Sequence, residues 1–156
     1  MEIFELDIEG IKSYQQNRYP YLLIDYANEI IPGISAKGYK DLLPDDWWFE
    51  VHFPGDPNMP GVLQVEAIVQ LGALMVTTLP GNKGEVVYLT SANNLKFKKK
   101  VLPGDRLEIK TKLLSWKRGI GSASGSAHVK NKLVCSIDFN IAVPSILSKF
   151  KIKSAK

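Results

Sequence analysis

A chain of 156 residues, of which 45% are hydrophobic and 23% charged, has the length and composition of one ordinary folded domain. Its first ten residues contain four acidic residues and no basic segment, which argues against a secretory signal peptide. Cys135 is the single cysteine and has no partner for an internal disulfide, so we expect a cytoplasmic protein.

The net charge of +4 is concentrated at the carboxyl end of the chain. Residues 149–156 contain four lysines and no acidic residue, whereas residues 1–148 carry 16 basic and 16 acidic groups. This distribution predicts one domain over residues 1–148, followed by a basic tail at 149–156. It argues against a nucleic-acid-binding protein, whose basic groups should lie on the folded surface.

The first third of the chain has the pattern of a short helix, a pair of strands and an ordered loop. Apolar residues at helical spacing, two β-rich segments around a Pro-Gly turn, and a stretch rich in proline and glycine indicate these elements. We predict a helix within Glu5–Gln16, strands within Tyr21–Ile31 and Ile34–Leu42, and a loop over Pro44–Pro60 with one helical turn at 46–48.

The segment Pro60–Thr78 has apolar residues on every helical face and no internal proline. This pattern is typical of a helix buried on all sides, although its length would also suffice to cross a membrane. Gln64, Glu66 and Gln70 lie within it, and a charge near the middle of a span is costly in lipid. We therefore predict a buried central helix and no membrane span.

The second half of the chain has the pattern of four consecutive antiparallel strands. Pro103-Gly104, Arg118-Gly119 and Asn131 separate these strands and are typical of hairpin turns. Along the chain, two strands are followed by one helix and then by four strands. This order predicts an α+β domain in which a sheet curls around the helix. The four strands are expected within Glu85–Lys99, Asp105–Trp116, Ile120–Lys130 and Lys132–Val143.

A loop stiffened by three prolines connects His52 with the start of the predicted helix. Pro60 suits the first helical turn, where its missing N–H costs nothing. Gly61 follows with a free N–H and no side chain, at the positive end of the helix dipole. This arrangement favours a site for a carbonyl oxygen that gains negative charge.

Glu66 lies about one and a half turns into this apolar helix, where burial should raise the pKa of its carboxyl. Gln70 is one turn further on the same face and can hydrogen-bond Glu66 or a substrate group. With His52, Glu66 would form an acid–base pair. The residues alone leave open the alternative that His52 is a solvated or structural histidine and Glu66 a surface carboxylate.

Several stretches around the loop and helix carry a family signature: His52–Gly55, Met59–Leu63, and Glu66-Ala67 followed by Gln70. Further matches lie upstream in Arg18–Asp25 and downstream in Leu95–Lys98 and Val101–Asp105. Together they resemble the FabZ-type 3-hydroxyacyl-acyl-carrier-protein dehydratases, in the family's order over roughly residues 8–143. The central motif is highly specific.

The resemblance implies a hot-dog fold, an antiparallel sheet wrapped around the central helix. It implies a homodimer in which two sheets join edge to edge, with further assembly into a trimer of dimers in many members. In this family the active site lies at the dimer interface and combines the histidine of one subunit with the carboxylate of the other.

The resemblance also implies the reaction, the dehydration of a 3-hydroxyacyl thioester on acyl carrier protein, without a cofactor. His52 would remove the proton α to the thioester carbonyl, and Glu66 would protonate the departing 3-hydroxyl to give a trans-2-enoyl thioester. The N–H of Gly61 would hold the carbonyl oxygen. Phe53, Val62 and Gln70 are the other candidate substrate contacts.

The chain departs from the family pattern at several positions. Asn17 stands where the family usually has histidine, Val51 where it has glycine, and Asn58 where it has an apolar residue. Trp47-Trp48 occupies a region of smaller residues and would either narrow an acyl tunnel or pack the dimer surface. None of these changes removes a catalytic group, so we expect a specialised member of the family. Val51 lacks the φ freedom of glycine, so the loop geometry at His52 is expected to differ.

The basic residues of the folded part have two interpretations. They would dock the acidic acyl carrier protein, or they would keep an exposed strand edge from pairing. No Cys/His spacing indicates a metal site, and no phosphate-binding loop is present. His128 and Cys135 are expected to be structural. The basic cluster comprises Lys96, Lys98, Lys99, Lys100 and Arg106.

Two other functions remain open from the sequence. A hot-dog acyl thioesterase also uses a carboxylate and a polarised thioester, although the His52 loop is not its usual signature. A non-catalytic subunit that binds acyl chains or acyl carrier protein is the alternative that Asn17 and Val51 leave open.

Overall fold

The computed structural model of the protein describes residues 2–150, so the predicted basic tail lies mostly outside the described residues. A short strand and helix open the chain, and Asp7 caps the helix by accepting a hydrogen bond from the Gly10 N–H at 2.8 Å. The elements are β1 (Phe4–Leu6), α1 (Ile8–Tyr14), β2 (Tyr26–Ile31), β3 (Ser35–Asp41), α2 (Gly61–Thr77), β4 (Tyr88–Phe97), β5 (Arg106–Lys117), β6 (Ile120–Val129), β7 (Lys132–Ala142) and α3 (Pro144–Leu147), followed by a 3-10 turn at Ser148–Phe150.

All seven strands form one antiparallel sheet in the order β1-β2-β3-β5-β6-β7-β4. The sheet packs around α2, which contacts β2, β3, β5, β6 and β7. The predicted α+β class and hot-dog fold are therefore confirmed, as are the central helix and the six longer strands. The predicted strand within Tyr21–Ile31 begins only at Tyr26, and β1 was not predicted.

One predicted hairpin is wrong. Gly104 does form a turn, with φ of +88°, but the strands on either side of it, β4 and β5, are not neighbours. β5 pairs with β3 and β6, whereas β4 crosses over to pair with β7. The turns at Arg118-Gly119 and Lys130-Asn131 are true hairpins, and all four of these residues have positive φ. Turn residues thus show where the chain reverses its direction. They do not show with which strand the following strand pairs.

α2 lies in the hydrophobic core of the protein. Fourteen of its seventeen residues are buried, which agrees with the prediction of a helix that is apolar on all sides. The three residues of α2 that are not fully buried are Gly61, Val62 and Glu66. Among residues 2–150, no helix is both long and apolar enough to cross a membrane.

β4 forms one end of the sheet and is unusually exposed. All ten of its residues are exposed, including the apolar side chains of Tyr88, Leu89, Leu95 and Phe97. A long edge strand with apolar side chains offers unpaired backbone groups to another chain. The opposite edge, β1, has only three residues.

Candidate active site

The loop that carries His52 is held by backbone hydrogen bonds at both ends. The N–H of His52 donates to the carbonyl of Trp48 at 2.9 Å, and its own carbonyl accepts from the N–H of Asn58 at 2.9 Å. Further along, the N–H of Met59 donates to the carbonyl of Val101 at 2.8 Å. The half-buried imidazole is therefore presented on a loop that is fixed to its neighbours.

The imidazole of His52 has one nitrogen in use and one free. Its Nδ1 lies 3.0 Å from the carbonyl oxygen of Asn58. With the proton on Nδ1, the ring donates to that carbonyl, and Nε2 keeps a lone pair that can accept a proton. The ring of Phe53 lies against it, with 4.0 Å between ring centroids.

Two departures from the family pattern leave this arrangement intact. Val51 is exposed and does not have a positive φ, so its position does not require glycine, and the expected change in loop geometry has no backbone basis at this residue. Asn58 supports His52 through its backbone carbonyl, while its side chain donates to the carbonyl of Asp56 at 3.1 Å. Neither side chain carries the interaction that orients the imidazole.

The N-terminus of α2 has unpaired backbone N–H groups. Pro60 precedes the helix and supplies no side-chain cap, and the first turn contains no acidic residue. The carbonyl of Pro60 accepts from Leu63 and Gln64 at 3.0 and 3.1 Å, whereas within the described chain the N–H of Gly61 has no acceptor. A helix start of this kind stabilises negative charge on an oxygen atom.

Glu66 is half-buried in α2, and this burial raises the pKa of its carboxyl, an effect that a hydrogen bond from Gln70 partly offsets. The Nε2 of Gln70 donates to Glu66 at 3.0 Å and to the carbonyl of Tyr21 at 2.8 Å, and its Oε1 accepts from the N–H of Leu23 at 2.8 Å. Gln70 is buried, and its amide is already bonded to protein groups on both sides. It therefore orients Glu66.

A cavity of about 410 Å³ lies beside Glu66. One wall is a single face of α2, where Glu66, Val69, Gln70 and Ala73 follow each other at the spacing i, i+3, i+4 and i+7. The other walls are the segment 15–17 after α1 and the segment 85–89, which includes the first two residues of β4. Helical spacing from Glu66 would have identified Val69 and Ala73 as lining residues from the sequence. The residues of the other two walls could not be identified in this way, because their positions depend on the tertiary fold.

Phe97, the last residue of β4, is a neighbour of the site that the sequence analysis did not identify. A Cβ on Gly61 would lie 2.6 Å from the Cζ atom of the Phe97 ring, so a larger residue at this position would displace the ring. Trp48, in contrast, is buried in the core at 2% exposure, and neither it nor Trp47 lines the cavity beside Glu66. That these tryptophans narrow an acyl tunnel or pack the dimer surface stays a prediction.

His52 and Glu66 are not brought together in the cavity beside Glu66 within the described chain. His52 does not line the cavity of Glu66, and no hydrogen bond joins the two side chains among residues 2–150. Val62 and Phe53, the other candidate substrate contacts, are exposed at 74% and 52%. These exposed apolar groups lie on the segments that carry the two candidate catalytic residues.

The predicted basic cluster is divided in the structure. Arg106 pairs with Asp41 and lies over the ring of Tyr39, and Lys100 pairs with Asp56. Lys96 lines a different, polar cavity on the sheet together with Lys110 and Lys112. Lys98 and Lys99 are exposed between β4 and β5.

Other candidate groups have structural surroundings. Cys135 is fully buried, and burial raises the pKa of its thiol to about 11. His128 is half-buried in β6. Among residues 2–150, no three side chains of His, Cys, Asp or Glu are grouped to hold a metal ion.

Comparison with known proteins identifies the family. Residues 16–138 match the FabA-like domain family. The 3-hydroxyacyl-[acyl-carrier-protein] dehydratase FabZ of Clostridium novyi is 39% identical over 137 residues, which cover 85% of this chain and 96% of that protein. FabZ of Bacillus subtilis is 38% identical over 138 residues, which cover 88% and 98%. The chain belongs to the FabZ-type dehydratase family.

Solved structures agree on the fold of this FabZ-type chain. The dehydratase heterocomplex ApeI:P from Xenorhabdus doucetiae superimposes with a TM-score of 0.76 at 14% identity, covering 89% of this chain and 95% of that chain. The PaaI protein from the phenylacetic acid degradation operon of E. coli superimposes with a TM-score of 0.59 at 13% identity, covering 78% and 80%. At these identities the likeness concerns the fold alone.

Proposed function

We propose that the protein dehydrates 3-hydroxyacyl thioesters on acyl carrier protein, with His52 as base and Glu66 as acid. The observation that carries this proposal is Glu66, a half-buried carboxyl with a raised pKa. It lies on the same helix as the N–H of Gly61, which has no acceptor among residues 2–150. A carboxyl that holds its proton more tightly can protonate a leaving hydroxyl. Membership of the FabZ-type family supports a 3-hydroxyacyl thioester as the substrate and acyl carrier protein as its carrier.

The reaction needs one base, one acid and one oxyanion site. Nε2 of His52 takes the proton from C2, and the N–H of Gly61 donates to the thioester oxygen as it gains charge. The C2–C3 double bond forms while the C3–O bond breaks, and Glu66 gives its proton to the leaving oxygen, so water departs. The imidazolium then returns a proton to the carboxylate through solvent, which restores both groups.

We place this pair across a homodimer, with His52 from one subunit and Glu66 from its partner. Support comes from the separation of the two groups within one chain and from β4, whose exposed backbone and apolar side chains suit pairing with a second β4. Phe97 of β4 contacts Gly61 in the same chain, so an interface at β4 would adjoin the helix start. Assembly beyond the dimer stays a prediction from the resemblance.

Acyl carrier protein is the proposed partner, and Lys98, Lys99 and Lys100 are its proposed contacts. These lysines adjoin the His52 loop, because Lys100 pairs with Asp56 and the next residue, Val101, accepts from Met59. An acidic partner bound here would deliver its thioester arm beside Phe53 and Val62. Arg106 and Lys96 support this role less, since no contact joins them to the His52 loop among the described residues. Arg106 pairs with Asp41 of β3, and Lys96 lines a cavity on the sheet. The buried thiol of Cys135 is compatible with a cytoplasmic enzyme.

A turnover assay with matched variants tests the proposal. Purified protein is mixed with 3-hydroxyacyl carrier protein, and the 2-enoyl product is measured by mass spectrometry. We expect His52→Ala and Glu66→Gln each to lose at least about a hundredfold in kcat/KM, because positioned acid–base groups contribute about that much. His128→Ala, outside the site, serves as the control.

Other outcomes would assign another function. If both variants keep the wild-type rate, His52 and Glu66 are not the catalytic pair. Release of free carrier thiol in place of the enoyl product would indicate a thioesterase. Binding of the acyl carrier protein without turnover would indicate a non-catalytic subunit.

A further inference from the structure

The cavity beside Glu66 has a near end, at Glu66, and a far end, and the course of β4 along α2 shows where the far end lies. Phe97 at the end of β4 contacts Gly61 at the start of α2. At the other end of both elements, Lys83 lines a cavity together with Thr78 and Leu79, which follow α2. These two points show that the strand runs antiparallel to the helix. The segment that precedes β4 therefore lies toward the C-terminal half of α2. Glu66, Ala73, Glu85 and Leu89 all line the cavity. From the antiparallel direction we assign Glu66 and Leu89 to its near end, and Ala73 and Glu85 to its far end.

The middle of the cavity is apolar and short. Val69 and Ala73 of α2 line it together with Val87 and Leu89. From Glu66 to Ala73 the helix rises about 10 Å, at about 1.5 Å per residue. Each methylene of a bound acyl chain that becomes buried here would raise affinity about fourfold.

Beside the far end, hydrogen bonds form a bridge between two loops. The Nε2 of Gln16 donates to the carbonyl of Gly84 at 2.7 Å, and the N–H of Gly84 donates to the carbonyl of Tyr14 at 3.1 Å. Arg18 fixes the same loop by donating to the carbonyls of Gln15 and Asn17, both at 2.8 Å. The bridge thus joins the residues after α1 to the residues before β4.

The far end is also polar. Asn17, which adjoins Gln16 of the bridge, lines the cavity with a side-chain amide that forms no hydrogen bond among the described residues. Glu85 lines it with a carboxylate that accepts from Ser145. A methylene group placed beside these groups would displace water without replacing its hydrogen bonds. An acyl chain long enough to extend past Ala73 therefore gains no further affinity from its additional methylene groups.

From these observations we propose that this cavity selects short acyl chains, with Gln16 and Asn17 as the residues that set the limit. The inference rests on the proposed dehydratase function and adds its substrate class. It assigns specificity to the loop after α1, where Asn17 is one of the chain's departures from the family pattern.

The test is a chain-length profile of kcat/KM, measured on carrier-bound 3-hydroxyacyl substrates from four to sixteen carbons. In the wild type we expect kcat/KM to rise over the shortest chains and then to fall at least about tenfold for the longest. Gln16→Ala removes the side-chain half of the bridge, and Asn17→Leu makes the far end apolar. Both variants should move the optimum to longer chains. Ala73→Leu should move it to shorter chains, and Ser13→Ala, outside the cavity, should not move it.

The possible failures are distinguishable. A wild-type kcat/KM that keeps rising to sixteen carbons, or a profile that Gln16→Ala and Asn17→Leu leave unchanged, would overturn the chain-length inference and leave the dehydratase function standing. Absence of dehydration at every chain length would overturn the proposed function and the inference together.

Discussion

At the scale of single residues, the site depends on one carboxyl in an unfavourable position. Glu66 lies on a helix whose other residues are almost all buried, and Gln70 holds it through an amide that also binds the carbonyl of Tyr21 and the N–H of Leu23. Burial raises the pKa of Glu66, so ionisation at neutral pH costs folding free energy. The property that suits Glu66 to acid catalysis therefore reduces the stability of the protein.

Replacement of Glu66 by glutamine should raise stability at higher pH. Glu66 has its ordinary pKa in the unfolded chain and a raised pKa in the folded protein, so the folded state binds more protons and its stability falls as pH rises through this window. Glu66→Gln removes this loss and can still accept the hydrogen bond from Gln70. We expect a higher Tm than the wild type at about pH 8 and little difference at about pH 4.

Calorimetry over this pH range measures the effect. Glu50→Gln, at an exposed position, is the matched control and should not show the same divergence with pH. If Glu66→Gln is less stable than the wild type at pH 8, burial is not the dominant influence on the pKa of the Glu66 carboxyl in the folded protein.

At the scale of elements, the contact between α2 and the sheet is close enough to require glycine. A Cβ on Gly125 of β6 would lie 2.3 Å from the Cγ2 atom of Ile68 on α2. The sequence pattern predicted both α2 and β6, because the helix is apolar on all sides and the strand is bounded by turn residues. It did not predict this contact, since the approach of helix to sheet depends on the whole layer of side chains between them.

Gly125→Ala should therefore destabilise the protein by about 1–3 kcal/mol, because a methyl group has no space beside Ile68. Urea denaturation gives the free energy of unfolding. In an Ile68→Ala background the same change should cost much less, since the atom that obstructs it has been removed. Ser126→Ala, at the next position of β6, is the control. Equal losses in both backgrounds would show that the space beside Ile68 is not the cause.

Some elements could not be predicted for physical reasons. β1 has three residues and gains its strand conformation only by pairing with β2, so its own sequence carries almost no signal. The Pro103-Gly104 turn was predicted correctly as a turn and wrongly as a hairpin. A turn sets local φ and ψ, whereas the pairing of β4 with β7 is decided by the sheet as a whole.

At the scale of the whole molecule, the proposed site requires a second chain. The motif identified His52, Gly61 and Glu66 from the sequence, and the structure places the imidazole and the carboxyl outside a common cavity. Their positions make sense if the exposed β4 strand pairs with a second copy. Which groups meet across such an interface depends on the symmetry of the dimer. Local sequence patterns carry no information about that symmetry.

The most direct test of this account mixes two inactive variants. His52→Ala and Glu66→Gln subunits are unfolded together, refolded and assayed for dehydration. Random pairing would give heterodimers with one intact site of two, so we expect about a quarter of the wild-type activity. A mixture of His52→Ala with the double variant His52→Ala/Glu66→Gln is the control and should stay inactive. If the first mixture stays inactive although heterodimers form, the site is not shared between subunits and the account is wrong.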